Sequence, residues 1–282
     1  MNAPAFVFLN TGSDHRVGPN RMYVRLARQL ASEGIASIRF DPTGIGDSGS
    51  TASHLDAHPY SAARLEDATQ VLNALVQRNV ADQFVLGGLC SGAYVAFHIA
   101  ARDRRVIGEI LINQQTFAWN EGDSLEIKVR QNFKSSRFYR QAALQPGIWR
   151  RVLKGEVNWR GIVASQASLV TRATSRRIVR ALGLGGTSVI GAFKDKLSRG
   201  TDVFIVFGEE DGGIDALEEH VGREGGCLRG RRGFRMEVLK GPDHSFSSYP
   251  EQQRLFELLV GHLLRLPQLD SAIAGNGTGR NR

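Results

Sequence analysis

The sequence predicts an α/β domain on a mostly parallel sheet of about six strands, with helices on both faces and a helical cap inserted between its two halves. Three observations predict it. Short β-rich runs alternate with helix-like segments. Runs such as Phe84-Val85-Leu86 and Ile110-Leu111-Ile112 are apolar without interruption, as strands are when helices cover both faces. The alternation stops near residue 117 and resumes near residue 200. With 282 residues, 41% of them apolar, the chain can bury one large core.

In chain order, strands are expected at Phe6 to Asn10, Ile35 to Asp41, Phe84 to Gly88 and Ile107 to Asn113, separated by helices near 20–33, 61–78 and 91–102. The pattern resumes with Val203 to Phe207, a helix near 214–221, a strand from Phe234 to Lys240 and a helix near 249–264. The interval 117–199 is too long for a connection and carries Trp119, Phe133, Phe138, Trp149 and Trp159, so it is read as the cap. Within it Arg172, Arg176, Arg177 and Arg180 recur at near-helical spacing opposite an apolar stripe. The core then comprises 1–116 and 200–268, and the Gly- and Asn-rich tail 269–282 is expected to be disordered.

The formal charge of +8 is unevenly spread: residues 121–200 hold 16 Lys and Arg against 5 Asp and Glu, leaving the remainder slightly acidic. The basic segment lacks helix-turn-helix or zinc-finger spacing, which argues against nucleic acid. No apolar run spans a bilayer and no basic leader precedes Phe6, so a cytoplasmic protein is expected. Two cysteines, Cys90 and Cys227, are too few for a disulfide scaffold and lack the spacing of a metal site; no metal and no cofactor are expected.

Chemistry concentrates where the third strand meets its helix, at Gly88-Leu89-Cys90-Ser91-Gly92. A nucleophile on so sharp a turn needs small residues two before and two after it. Gly88 and Gly92 set that register on Cys90; centring it on Ser91 would put Leu89 and Ala93 in those places. The following helix points its positive N-terminal end at the sulfur, favouring negative charge there.

The chain at this point resembles the α/β-hydrolase superfamily over nearly its whole length. Asp41-Pro42-Thr43-Gly44-Ile45-Gly46-Asp47-Ser48 looks like the D-x-x-G-x-G-x-S turn of many members, and the elbow follows at the expected distance. His15 to Asn20 and the cysteine elbow look closest to hydrolases associated with exosortase and surface-polysaccharide systems, and to stand-alone hydrolases of biosynthetic clusters. The resemblance implies a catalytic triad, Cys90, His244 and Asp211, with Glu210 and Asp215 as alternative acids and His15 as the competing histidine. It also implies an oxyanion hole from the N–H groups of Ser13 and Ser91. His15 and Arg16 are expected to shape the site or bind substrate, or else to cap the helix near Asn20. Many members begin with an antiparallel strand pair before their first parallel strand, and here that pair is not read: either this is a minimal version of the fold, or the pair lies on another chain or a longer precursor, or the exposed edge pairs in a homodimer.

Together these imply a hydrolase or acyltransferase acting on a small-molecule acyl substrate, an activated ester or thioester. The basic cap suits an acyl carrier protein or coenzyme A thioester. Two rival readings stand beside this one. The same fold and base also run eliminations and isomerisations. Alternatively, the basic helix binds a membrane surface or polyanion on an inactive scaffold, the less favoured reading.

Overall fold

The computed structural model describes residues 3–50, 58–120, 123 and 188–269. The helix expected over Arg172–Arg180 and the tail beyond Leu269 therefore lie outside the described residues. Six strands, β1 (Ala5–Leu9), β2 (Ser37–Arg39), β3 (Phe84–Leu89), β4 (Val106–Ile112), β5 (Asp202–Gly208) and β6 (Phe234–Leu239), form one sheet in the order β2-β1-β3-β4-β5-β6. Every pairing is parallel, which sharpens the expectation of a mostly parallel sheet. The helices are α1 (Met22–Ser32), α2 (Ala62–Gln77), α3 (Ser91–Ala100), α4 (Val189–Ser198), α5 (Gly213–Val221) and α6 (Tyr249–Leu263).

The uninterrupted apolar runs follow from two covered faces. In β1, Ala5, Val7 and Leu9 join a core cluster with residues of α2, α3, α4 and α5, while Phe6 and Phe8 join a second with α1 and α6. Val203, Ile205 and Phe207 of β5 divide from Phe204 and Val206 in the same way. The second expected strand, Ile35 to Asp41, shrinks to Ser37–Arg39. It lies at the sheet edge and pairs only with β1, over Phe6 to Phe8. Among the described residues, no helix is long and apolar enough to cross a membrane.

Helix α4 falls inside the interval read as cap, yet it packs as part of the core layer: Phe193 is fully buried against Phe97 and Phe117. Its Lys196 is also fully buried, ion-paired with Glu109 in the middle of β4, its Nζ 3.7 Å from the centre of the Phe97 ring. Burial pulls the lysine pKa down and pushes the glutamate up, each partner's charge opposing the other's shift. Lys196→Met is expected to destabilise the fold by about 3–5 kcal/mol because it strands a buried carboxylate. Adding Glu109→Leu should restore much of that loss in chemical denaturation. A single variant as stable as the parent would contradict this reading.

The topology also positions the candidate site. The chain steps from β1 to β2 on one side and returns to β3 on the other, so the connections after β1 and β3 diverge, and the crevice between them is the natural ligand position in an open parallel sheet. Leu9 is in register with Gly88, which brings residues 10–14 beside Cys90.

Candidate active site

Cys90 sits between β3 and α3 with φ 58° and ψ −112°, a conformation few non-glycine residues adopt. Its N–H donates to the carbonyl of Ile112 at 2.9 Å, and its own carbonyl accepts from Tyr94 N–H at 3.2 Å, so both sides of the turn are tied down. The bracketing glycines are needed for the reason their spacing suggested. A Cβ on Gly88 would lie 2.7 Å from the backbone of Gly92, and one on Gly92 would lie 2.3 Å from the carbonyl oxygen of Leu9. Cys90 is half-buried and is a free thiol.

The loop after β1 is bolted to this turn from below. The Tyr23 hydroxyl, buried under both, donates to the Leu9 carbonyl and accepts from Leu89 N–H, each at 3.0 Å. Burial pushes its pKa up to about 12, so it keeps its proton. Thr11 Oγ1 adds contacts to the Tyr23 hydroxyl at 3.0 Å and the Leu89 carbonyl at 3.2 Å. Ser91, expected to contribute only its N–H, also uses its side chain: Oγ accepts from Gly12 N–H at 2.7 Å. That contact occupies Gly12 N–H. Ser91 is the first residue of α3, where no intrahelical acceptor exists for its N–H. Ser13, the other expected oxyanion donor, is exposed one residue beyond Gly12.

His244 and Asp211 come together from the connections after β6 and β5. Nδ1 of the ring lies 2.6 Å from Asp211 Oδ2, and Asp211 is only 3% exposed at its side chain. Its other oxygen accepts from Gln115 Nε2 at 2.7 Å and from Gly213 N–H at 2.8 Å. Glu210 is exposed on the same loop and Asp215 lies in the first turn of α5. Burial lowers the His244 pKa, but hydrogen bonds to Asp211 and Cys90, with their charges, outweigh it and raise it from 6.5 to about 10. Asp211 is thus held on Nδ1 of His244, and Cys90 lies near enough to the ring to raise its pKa.

The amide run after β4 carries positioning residues that the sequence reading missed. Asn113 is fully buried with φ 45°. Its Nδ2 donates to the His244 carbonyl at 2.8 Å, and its Oδ1 accepts from Gly208 N–H, also at 2.8 Å. One side chain thereby sets the spacing between the histidine loop and the strand that delivers the acid. Three consecutive amides closing an apolar strand were the available signal. Tyr60 was missed as well: its hydroxyl lies 3.4 Å from Cys90 Sγ.

Arg16 has a positioning part. Its N–H donates to Asp41 Oδ1 at 2.6 Å, and its guanidinium reaches both Asp41 and, at 2.5 Å, Asp47. Burial pushes the Asp41 carboxyl up, but the N–H donors of Arg16 and Asp47 and the guanidinium charge hold it below the ordinary carboxylate value. The D-x-x-G-x-G-x-S turn is therefore fastened to the 10–16 loop. His15 beside it is exposed. Neither residue caps α1, whose N-cap is Arg21 without a side-chain bond. Among the described residues, no group of three or more His, Cys, Asp or Glu is placed to hold a metal ion.

Residues 6–255 match the alpha/beta hydrolase family. No curated protein matches the sequence. Among solved structures, an esterase from Pyrococcus furiosus is 14% identical with a TM-score of 0.52, covering 92% of this chain and 82% of that one. A proline iminopeptidase from Mycobacterium smegmatis is 16% identical with a TM-score of 0.53, covering 96% and 93%. At such identities the likeness shows a shared fold.

Proposed function

We propose, given that the chain belongs to the alpha/beta hydrolase family, that it hydrolyses or transfers acyl groups from activated esters or thioesters through Cys90, His244 and Asp211. The observation that carries this reading is the strained Cys90 turn with His244 beside it and Asp211 on the ring's Nδ1. In this scheme the sulfur attacks the acyl carbon, and His244, oriented by Asp211, holds the thiol proton and returns it to the leaving group. The Ser91 and Ser13 N–H groups receive the developing oxyanion. Water or a second nucleophile then releases the acyl group.

A thiolate is both a good nucleophile and a good leaving group, which favours activated esters and thioesters over plain amides. The resemblance to hydrolases of polysaccharide and biosynthetic clusters points the same way. The basic interval supports an anionic thioester, carrier- or coenzyme A-linked, although at its end Lys196 is engaged within the core by Glu109 and Arg199 pairs with the exposed Asp195. Turnover of a carrier-bound acyl thioester is expected to exceed that of a matched neutral thioester at low salt. Raising the salt several-fold should then lower kcat/KM for the carrier substrate alone. Equal rates with both substrates at every salt concentration would remove the carrier from this reading.

A further inference from the structure

Tyr60, which follows the loop into α2, is fixed in place by its neighbours before any substrate arrives. The residue is 2% exposed, its ring stacked against Trp119 with ring centres 4.8 Å apart and planes 11° apart, and met edge-on by Tyr94 at 5.0 Å. Its hydroxyl meets Cys90 Sγ, the proposed nucleophile, at 3.4 Å. Pro59, immediately before it, lines a cavity with Asn10 and Gly12 of the loop after β1.

We propose that Tyr60 is a catalytic residue, a third donor to the oxyanion alongside the two backbone N–H groups. The inference rests on Cys90 being the nucleophile. In the resting enzyme the phenol bonds to the sulfur. When the C–S bond forms, the carbonyl π pair moves onto oxygen and negative charge leaves the sulfur. The new tetrahedral carbon holds that oxygen two bonds from the sulfur, within reach of a donor that already spans to it. The phenol keeps its proton and only changes its acceptor; collapse of the intermediate re-forms the carbonyl and expels the leaving group, which takes its proton from His244. Burial, and then the charge of Cys90, push the Tyr60 pKa up, which keeps the hydroxyl a donor. A rigid donor aimed where charge develops needs no reorganisation during the reaction.

The test compares acylation with alkylation in Tyr60→Phe, which removes one oxygen and keeps the stacked ring. Acylation by a p-nitrophenyl ester builds an oxyanion; alkylation by iodoacetamide uses the same sulfur and builds none. The expected result is an acylation burst slowed about 10²-fold, with alkylation unchanged or faster. An unchanged burst, or a parallel fall in both rates, would overturn the proposal. The loss should also be the same across esters of differing leaving group; a loss that grows with leaving-group basicity would show proton donation to that group and overturn the oxyanion role. Should Tyr60→Phe fail to fold, fluorotyrosine at position 60 is expected to change acylation but not alkylation, and an unchanged acylation rate would again overturn it. Peptide mapping of the wild-type adduct separates the two readings: an acyl group away from Cys90 defeats the proposed nucleophile, whereas one on Cys90 leaves the Tyr60 comparison to judge this inference alone.

Discussion

Cys90→Ala is expected to lower kcat/KM toward activated acyl substrates by about 10⁴–10⁶-fold, with no acyl-enzyme burst. The size follows from how the site is built. The backbone donors and Tyr60 are held by contacts that do not need the sulfur: Gly12 is tied to Ser91, the β1 loop to Tyr23, and the Tyr60 ring to Trp119 and Tyr94. The variant should therefore stay folded and still bind substrate, isolating the loss of covalent catalysis. Steady-state kinetics beside a thermal melt checks both parts. A variant retaining a tenth of the activity would mean that water attacks directly and that Cys90 is a packing residue on an unusual turn.

Asp211→Asn is expected to cost about 10⁴-fold, since an amide leaves the ring geometry in place but removes the charge that fixes the tautomer and stabilises the protonated imidazole. The same substitution tests the origin of the His244 shift. That pKa is raised in the folded state, from 6.5 to about 10. Below pH 6.5 the ring is protonated whether the chain is folded or not, and its stabilisation is fully present. Between 6.5 and about 10 only the folded ring holds the proton, so the contribution falls as pH rises and is gone above the folded value. The ring is 41% exposed, so solvent screening keeps the effect on stability modest. By NMR the His244 midpoint should move down toward 6.5 in Asp211→Asn and, because Cys90 contributes too, also in Cys90→Ala. A midpoint that stays near 10 in both variants would contradict the contact chain.

Much of this fold was legible because strands buried on both faces must be apolar throughout, and β3, β4 and β5 are nearly so. The elbow was legible for a steric reason: backbone packed against backbone admits only glycine, and the Gly88 and Gly92 contacts are of that kind. What escaped depends on partners distant in sequence. Lys196 reads as one more charge in a basic stretch until Glu109, 87 residues earlier, is placed beside it. A glutamate inside the apolar run Ile107 to Ile112 was the clue that a cation had to be buried nearby. Asn113 and Gln115 join loops whose proximity exists only once β4, β5 and β6 are side by side. Tyr60 lies in a connection without periodicity, and nothing local distinguishes it from a packing aromatic.

The central claim is that the reactive atom is the sulfur of Cys90. Incubating the full chain with a panel of activated acyl thioesters, then locating any adduct by intact-mass and peptide mass spectrometry, tests it most directly. One acyl group per chain on the peptide containing Cys90, absent from Cys90→Ala and slow to form in His244→Ala, is the predicted result. An adduct of the same mass that persists in Cys90→Ala, on Ser91 or elsewhere, would contradict it.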